Sequence, residues 1–414
     1  MTTLTDKARA MGLATMVVAL CAACTVTGDP VAHYPDPAAL DTGPYSGEPF
    51  EVPDGSDAHG RVLESVRLAE AMMDPVEADP TLTHAAGLST VVSLPTPAKA
   101  AMLLSDPVRS VLERHGMLAG SAVSGTDRTY DRFPEAGQSR ILSVIVLRFP
   151  DADAAARAAV EIDAVDAAVS AENVPVTIAD HPAARAHWRP AVPTLAATLA
   201  HDVFAVSVLA GHTSADLPLL SELARKAFDA QVKRLDDFVP TPRDQLAALP
   251  LDPHDMIRRM VPDAPGRWPY PAVIVTSEQL NAGWNSVILD VGVAYGPRGT
   301  WLWGGRKNSE NAPESVAYNG FNGLFRYPSI ATARRVFDRK DEKMADESAR
   351  VVPAPAGVPD AQCWEFSEHD FWGMTRYTCW VLYGRYVAAV LARDLTNVQQ
   401  KTAAQYGLLV NSDQ

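Results

Sequence analysis

Two cysteines near the C-terminus lie in a setting that favours a disulfide bond. Cys363 and Cys379 each belong to a strand-like run, and a loop that contains His369 separates the runs. Adjacent strands bring such residues within bonding range, and the bond would stabilise the fold by roughly 3 kcal/mol on the chain-entropy model. The alternative is a metal site that uses His369. It lacks a fourth ligand and a Cys-x-x-Cys pair, so no metal ion is expected.

The N-terminal residues have the anatomy of a bacterial export signal. Lys7 and Arg9 precede an uncharged run over residues 10–23, which has the length of a signal core rather than of a membrane span. This run ends in two alanines and Cys24 follows it, as in the lipobox, whose cysteine thiol receives a diacylglyceryl group. Cys21 departs from that motif because it stands where leucine is usual. We expect a signal peptide over residues 1–23 and lipidation of Cys24, with secretion without lipid as the alternative.

Export would also decide the state of the other cysteines. If Cys24 carries lipid, Cys363 and Cys379 are the pair that remains after cleavage. An extracytoplasmic compartment is oxidising, so the two would be joined. The sequence therefore predicts an extracytoplasmic protein that is attached to the cell membrane through Cys24.

Tryptophans are concentrated in the second half of the chain. Trp301, Trp303, Arg306 and the nearby Trp372 could line an aromatic groove for a sugar or an apolar ligand. The spacing of Trp301 and Trp303 predicts that both lie on one face of a strand. The alternative is that these rings fill the core of the second domain, and the sequence favours that alternative.

No recognisable catalytic set is present in the sequence. The ten histidines are scattered without metal-binding spacing, and the Gly-x-Ser-x-Gly, Ser-x-x-Lys and Gly-x-Gly-x-x-Gly motifs are absent. The segment from Gly299 to Arg306 half-resembles a phosphate-binding loop, but Gly305 stands at the position of the essential lysine. We therefore name no catalytic residue and expect no cofactor, although triads are geometric and can escape a motif search.

Composition excludes some classes of partner. The chain has 414 residues, a formal net charge of −14 and 47% hydrophobic residues, with a pI of about 5.1. This acidity argues against nucleic acid or an anionic lipid surface as the main partner. An envelope lipid, a glycan or a protein remains possible as a partner.

Proline-rich segments divide the chain. Residues 24–60 and 241–271 are rich in proline and poor in large apolar residues, and they predict a flexible tether and a connector. Between and after them, apolar periodicity predicts mixed helices and strands. The expected organisation is a signal peptide (1–23), a tether (24–60), an N-terminal domain (61–240), a connector (241–271) and a C-terminal domain (272–414).

The two domains share an internal repeat. Four segments recur in the same order at nearly constant spacing. The pairs are Arg148-Phe149-Pro150 with Arg326-Tyr327-Pro328, Ala186-His187-Trp188 with Gln362-Cys363-Trp364, residues 204–210 with 386–392, and residues 226–231 with 401–405. The shared unit is a strand, a helix, a meander of strands and a closing helix. It predicts an α+β fold of two related domains, each an antiparallel sheet with helices packed on one face.

Several short segments together resemble a family of actinobacterial, chiefly mycobacterial and nocardial, exported lipoproteins of unknown function. The resemblance covers nearly the whole mature chain and is carried by Leu40–Tyr45, Arg67–Ala69, Pro75–Pro80, residues 236–242, Leu249–Pro253 and Ala404–Tyr406. It implies an envelope-facing lipoprotein with two related domains, and it supplies no catalytic residue. The C-terminal part also resembles, in fold only, the extracytoplasmic sensor domains of mycobacterial kinases.

Three functions fit these observations. The first is a lipoprotein that binds a ligand or a partner without catalysis. The second is an exported hydrolase that acts on cell-wall or lipid material, and the third is a structural accessory subunit.

Overall fold

Each half of the chain is built around an antiparallel β-sheet. The computed structural model describes residues 35–86, 91–130, 135–276, 287–304, 310–340, 344, 349–366 and 376–412. The expected signal peptide, Cys24, Arg306 and Trp372 lie outside these residues. The two sheets belong to one compact unit that extends from Asp36 to Gln414.

The N-terminal sheet has seven strands in the described residues, in the order β1-β2-β3-β7-β6-β5-β4. All neighbours in it are antiparallel. The strands are β1 (Val91–Ser93), β2 (Ala119–Thr126), β3 (Ile141–Arg148), β4 (Val174–Ile178), β5 (His181–Trp188), β6 (Thr194–His201) and β7 (Phe204–Gly211).

The C-terminal sheet has eight strands in the described residues, in the order β12-β13-β14-β15-β11-β10-β9-β8. Its pairs are antiparallel as well. The strands are β8 (Ala272–Thr276), β9 (Val287–Tyr295), β10 (Ser315–Asn319), β11 (Asn322–Arg326), β12 (Arg350–Val352), β13 (Ala361–Glu365), β14 (Tyr377–Tyr383) and β15 (Tyr386–Ala392).

Several of the described helices begin after a residue whose side chain caps them. Ser56, Asp151, Asp216, Ser329 and Asp394 each accept a backbone N–H of the first turn, which satisfies a donor that the helix itself cannot. The α-helices are α1 (Asp57–Leu68), α2 (Pro97–Ala100), α3 (Val108–Arg114), α4 (Ala152–Ala167), α5 (Leu217–Leu235), α6 (Pro297–Gly304), α7 (Ile330–Asp338) and α8 (Leu395–Asn411).

The topology confirms that the two domains are related. Read from β2, the N-terminal order β2-β3-β7-β6-β5-β4 is matched by β10-β11-β15-β14-β13-β12 in the C-terminal sheet. Arg148 pairs with Phe204, and in the same way Arg326 pairs with Tyr386. The α+β class of two related domains that the sequence predicts is thus the observed fold.

One segment of the repeat is aligned differently in the structure. Ala186 pairs with Ala197 on β6, and Cys363 pairs with Cys379 at the equivalent place on β14. Ala186 therefore corresponds to Cys363, whereas sequence similarity matched it with Gln362. A one-residue shift moves every side chain of a strand to the other face of the sheet, so only the pairing register settles this correspondence.

Helices cover both faces of each sheet, which corrects the expectation that they share one face. The ring of His187 bonds Asp163 on α4, and the ring of His201 bonds Asp236 at the end of α5. His187 lies opposite Ala196 of β6, so these two side chains share a face of the sheet. Ala196 and His201 are five residues apart on the same strand, and an odd separation places His201 on the other face.

The C-terminal domain shows the same division. Cys379 and Val381 of β14 pack in clusters with residues of α8, while their neighbours Trp380 and Leu382 pack with Phe337 of α7. The physical reason lies in the central strands. All eight residues of β3 are buried, and a strand that is apolar on both sides needs cover on both sides.

In each domain the last helix, α5 or α8, binds a preceding segment of backbone through one glutamine. We call these segments, residues 71–73 and 259–261, the straps. Gln231 of α5 accepts a hydrogen bond from the backbone N–H of Met73 (3.0 Å) and donates to the carbonyl of Ala71 (2.8 Å). Gln405 of α8 makes the equivalent pair, from the N–H of Val261 (2.9 Å) and to the carbonyl of Arg259 (2.6 Å). Both glutamines are buried, so these bonds satisfy backbone groups that water does not reach.

Parts of the expected tether and connector are packed against the domains. Leu40 and Tyr45 pack in clusters of the C-terminal domain, and the Tyr45 hydroxyl accepts from Asn397 of α8 at 3.0 Å. In the connector, Met256, Ile257, Met260 and Val261 are buried. Both segments lie outside the sheets, as their polar composition predicted. Their few apolar residues are nevertheless buried and hold them against the domains.

The register predicts a second disulfide that protein engineering could add. Replacing Ala186 and Ala197 with cysteine (Ala186→Cys, Ala197→Cys) should give an oxidised pair, because these residues face each other as Cys363 and Cys379 do. We expect the added bond to raise the free energy of unfolding by about 2–3 kcal/mol. Thiol titration and urea unfolding, with and without reductant, would measure this. The control is the double variant Ala186→Cys, Thr198→Cys. It should stay reduced, because residues 186 and 198 point to opposite faces of the sheet.

Candidate functional site

A pocket of about 340 Å³ opens on the face of the N-terminal sheet that carries α4. This volume lies at the lower end of the range for small-molecule sites. Strands β3, β5, β6 and β7 form its floor, and the end of α4 and the segment before α3 form its walls. Its lining residues are Leu103, Leu104, Ser105, Ser143, Ile145, Asp166, Val169, Ser170, Asn173, His187, Trp188, Arg189, Val192, Thr194, Ala196, Ser207, Val208 and Leu209.

The pocket exists because the floor carries small side chains. Ser207 on the floor faces Thr198 of β6, and the equivalent pair in the C-terminal sheet is Ala389 and Trp380. There the Trp380 ring stacks on Phe325, with centroids 5.9 Å apart and planes 4° from parallel. The C-terminal domain therefore fills with aromatic rings a face that the N-terminal domain lines with hydroxyls and alanine.

Two side-chain bonds fix the loops around the pocket. The amide of Asn173 donates to the carbonyl of Ala167 (2.8 Å), which ties down the chain after α4. The indole N–H of Trp188 donates to the carbonyl of Val192 (2.8 Å) and shapes the turn between β5 and β6. Ala191 in that turn has φ +70°, a conformation that costs energy for a residue with a β-carbon.

The interior of the pocket is apolar with several hydroxyl groups. Ile145, Leu209 and Leu103 provide hydrocarbon surface, and Ser143 and Ser207 lie on the floor. The Ser105 hydroxyl is buried and has no hydrogen-bond partner among the described residues. An unsatisfied buried hydroxyl costs about 1–3 kcal/mol and is therefore a place where a ligand or a water molecule is expected.

His187 is held by carboxylates at the side of the pocket. Its Nδ1 lies 2.8 Å from Asp163, and its Nε2 lies 3.6 Å from Asp166. Among the described residues, neither nitrogen bonds a serine hydroxyl. The ring is thus placed to support the wall rather than to activate a nucleophile.

The tryptophans that the sequence singles out lie on a helix. Trp301 and Trp303 belong to α6, where residues two apart point to different sides, so the expectation of a shared strand face is wrong. The indole N–H of Trp301 donates to Asp74 (3.2 Å). The ring of Trp303 packs on Tyr318 with centroids 4.6 Å apart. Arg306 and Trp372, proposed with them, lie outside the described residues.

The N-terminus of α6 is capped by the other domain. The carboxylate of Glu70 accepts from the backbone N–H of Arg298 (3.0 Å) and of Gly299 (2.8 Å). The Arg298 guanidinium donates to the carbonyl of Met72 and to Glu77 (2.7 Å). Burial alone would raise the pKa of Glu77, but hydrogen bonds from Arg234, from the Asp74 backbone and from Arg298 lower it. The segment from Glu70 to Glu77 therefore fastens the two domains together.

A second polar contact joins β1 to β9. The Tyr295 hydroxyl lies 3.0 Å from the Ser93 hydroxyl and donates to Asp290. Burial raises the pKa of Asp290 to about 6, although the bonds from Tyr295 and Ser93 act in the opposite direction. The Oδ1 atom of Asp290 is buried and has no partner among the described residues. No local pattern indicates this cluster, because Ser93 is far from Asp290 along the chain.

Cys363 and Cys379 face each other on β13 and β14 and form a disulfide. Their Cα atoms are 4.1 Å apart, and both side chains are buried beneath α8. A hollow of about 450 Å³ adjoins Cys363 along β12. Among the described residues, its lining has no charged side chain and no hydroxyl group, whereas the N-terminal pocket has both. The N-terminal pocket is therefore the candidate site.

Two further features are missing from the described ranges. No helix there is both long and apolar enough to cross a bilayer. Nor do three or more histidine, cysteine, aspartate or glutamate side chains of these ranges gather as they would around a metal ion.

The fold defines a class of protein made of two related α+β domains, each an antiparallel sheet between helices. Family models agree with this division. The N-terminal model of DUF7373, a domain of unknown function, matches residues 52–251, and the C-terminal model of the same family matches residues 256–412. The chain belongs to the DUF7373 family.

Other comparisons add little. No curated protein matches the chain. Among solved structures, the extracellular domain of PknH from Mycobacterium tuberculosis is similar at 13% identity, over 42% of this chain and 97% of that domain, with a TM-score of 0.29. That score is too low to support any conclusion about fold or function.

Asp290 predicts a pH-dependent stability. Its folded pKa of about 6 lies above the unfolded value of about 3.9, so its favourable contribution is complete below pH ~4 and is lost as the pH rises towards 6. The Asp290→Asn variant should lack this loss, which amounts to roughly 2 kcal/mol. Urea unfolding of both proteins between pH 4 and 7 would measure the difference. Asp237→Asn, at an exposed residue, is the control. Parallel curves for Asp290→Asn and the parent chain would contradict the prediction.

Proposed function

We propose that this protein is exported, anchored to the cell membrane by lipid on Cys24, and binds a small ligand in the N-terminal pocket without converting it. The location is supported by the signal-like N-terminus and by the buried disulfide, since disulfides persist in oxidising compartments. The pocket would then face the cell envelope, where the ligand would be met.

One observation carries the binding proposal. The chain contains two copies of the same fold, and the two differ in the side chains on the sheet face that packs against the helix after the Arg-aromatic-Pro segment (α4 in the first copy, α7 in the second). In the C-terminal copy Trp364 and Trp380 are buried in that layer, and in the N-terminal copy His187 and Thr198 take their places. Interiors are normally close-packed, so an open volume where the second copy places tryptophan rings is better explained by a ligand than by chance.

A hydrolase receives less support. The pocket holds serine, histidine and aspartate, but the described bonds of His187 run to carboxylates rather than to Ser143 or Ser207. A nucleophilic serine needs a base within hydrogen-bond reach, and the observed arrangement lacks that contact. A purely structural subunit would have no reason to keep the pocket.

The binding proposal predicts a ligand that co-purifies with the protein. We expect native mass spectrometry of the protein, isolated from its own envelope, to show an adduct of small mass. The Ala196→Phe variant should lose this adduct, because the new ring occupies the floor of the pocket. The matched control is Ala183→Phe, which adds the same ring at an exposed residue of the same sheet.

Two results would contradict the proposal. One is an adduct that persists unchanged in Ala196→Phe. The other is the absence of any adduct, together with thermal unfolding that total envelope extract does not change.

Anchoring is tested separately. The Cys24→Ala variant should move from the membrane fraction to the soluble fraction and should lose the mass of the acyl groups. The Cys21→Ala variant should remain in the membrane fraction, because Cys21 would be removed with the signal peptide. Membrane retention of Cys24→Ala with unchanged mass would show that another feature holds the protein.

A further inference from the structure

We infer that the ligand of the N-terminal pocket is an uncharged amphiphile, with an apolar body and a carbonyl or ether oxygen, of the class of neutral acyl esters. This inference rests on the proposed function and names the chemistry of its ligand. Three features of the pocket support it, namely the position of its charges, its hydroxyl donors and its apolar floor.

Charged groups lie only at the side and mouth of the pocket. Among its lining residues, the ionisable ones are Asp166, His187 and Arg189. Arg189 is 44% exposed and lies 3.9 Å from Glu172, so it points to the mouth. His187 lies between Asp163 (2.8 Å) and Asp166 (3.6 Å), so these charged groups at the side of the pocket already face one another. A ligand carboxylate or ammonium in the interior would therefore be buried without a partner, which is strongly unfavourable.

Hydroxyl groups in the interior can serve an acceptor atom on the ligand. The Ser105 hydroxyl is buried and has no partner among the described residues. Ser143 and Thr194 lie on neighbouring parts of the same lining. A hydroxyl donates to a carbonyl or ether oxygen without a change of charge. These groups match an ester or ether better than they match a bare hydrocarbon.

The remaining surface calls for an apolar body. Leu103, Ile145 and Leu209 form a hydrocarbon patch next to the hydroxyls. The corresponding face of the C-terminal domain is covered by the stacked rings of Phe325 and Trp380. Covering such a face is favourable by about 25 cal/mol for each Å² of apolar area removed from water. A short acyl chain could supply this cover in the pocket.

The test compares three probes that differ in one property at a time. The full chain with Cys24→Ala, which removes any acyl anchor, would be titrated with monodecanoin, with the decanoate anion at pH 8 and with glycerol, below micellar concentrations. We expect monodecanoin to raise the melting temperature and to bind at least tenfold more tightly than decanoate, with no effect of glycerol. A tenfold ratio corresponds to about 1.4 kcal/mol.

Variants separate the site from the chemistry. Ala196→Phe should abolish the monodecanoin effect, Ala183→Phe should keep it, and Ser105→Ala should weaken binding about tenfold through the lost donor. If Ala196→Phe does not fold, Val169→Trp replaces it, because Val169 is 61% exposed at the mouth and a larger ring there narrows the entrance.

Each outcome has a distinct meaning. Equal or tighter binding of decanoate would overturn the inference that the ligand is uncharged and would leave the pocket as the site. Failure of monodecanoin to bind would likewise overturn the ligand class, and the proposed function would stand if the co-purifying adduct is still lost in Ala196→Phe. Binding of monodecanoin that Ala196→Phe and Val169→Trp do not affect would overturn both.

Discussion

The structure depends on one constraint, which is that the central strands of each sheet are apolar on both sides. Every residue of β3 is buried, and β14 alternates between residues that pack under α8 and residues that pack under α7. Each sheet must therefore have a helix on each face. The helix that follows the Arg-aromatic-Pro segment, α4 or α7, covers one face of its sheet. The last helix of the domain, α5 or α8, covers the other.

The same closing helices also organise the chain around the sheets. Gln231 and Gln405 each hold the backbone of a strap that runs under the helix, and they do so with the same two hydrogen bonds. In the N-terminal domain that strap continues to Glu70, Asp74 and Glu77, which bind α6 of the C-terminal domain. The buried amide of Gln231 thus holds residues 71–73 in place, and the residues beside them bind α6 of the C-terminal domain.

Duplication has left two copies of one frame with different contents. A disulfide joins β13 and β14 where two alanines, Ala186 and Ala197, face each other in the first copy. Tryptophans fill one face of the second sheet, whereas hydroxyls and alanine leave a pocket in the first. Since the frame needs only its buried strands and its capped helices, the inner lining was free to change. This is the physical basis for a pocket lined by hydroxyls in one domain and for stacked aromatic rings on the same face of the other.

The sequence by itself determined the local elements and their order. The apolar run of β3 and the recurring Arg-aromatic-Pro segment are local signals that predicted two related α+β domains. The strand-like runs around Cys363 and Cys379 predicted their pairing. Only the tertiary structure decided which faces the helices cover, the one-residue register that matches Ala186 with Cys363, the helical state of Trp301, and the pocket. These features depend on contacts between residues that are distant along the chain. A strand or a helix has the same local pattern whichever of its faces a distant segment comes to cover.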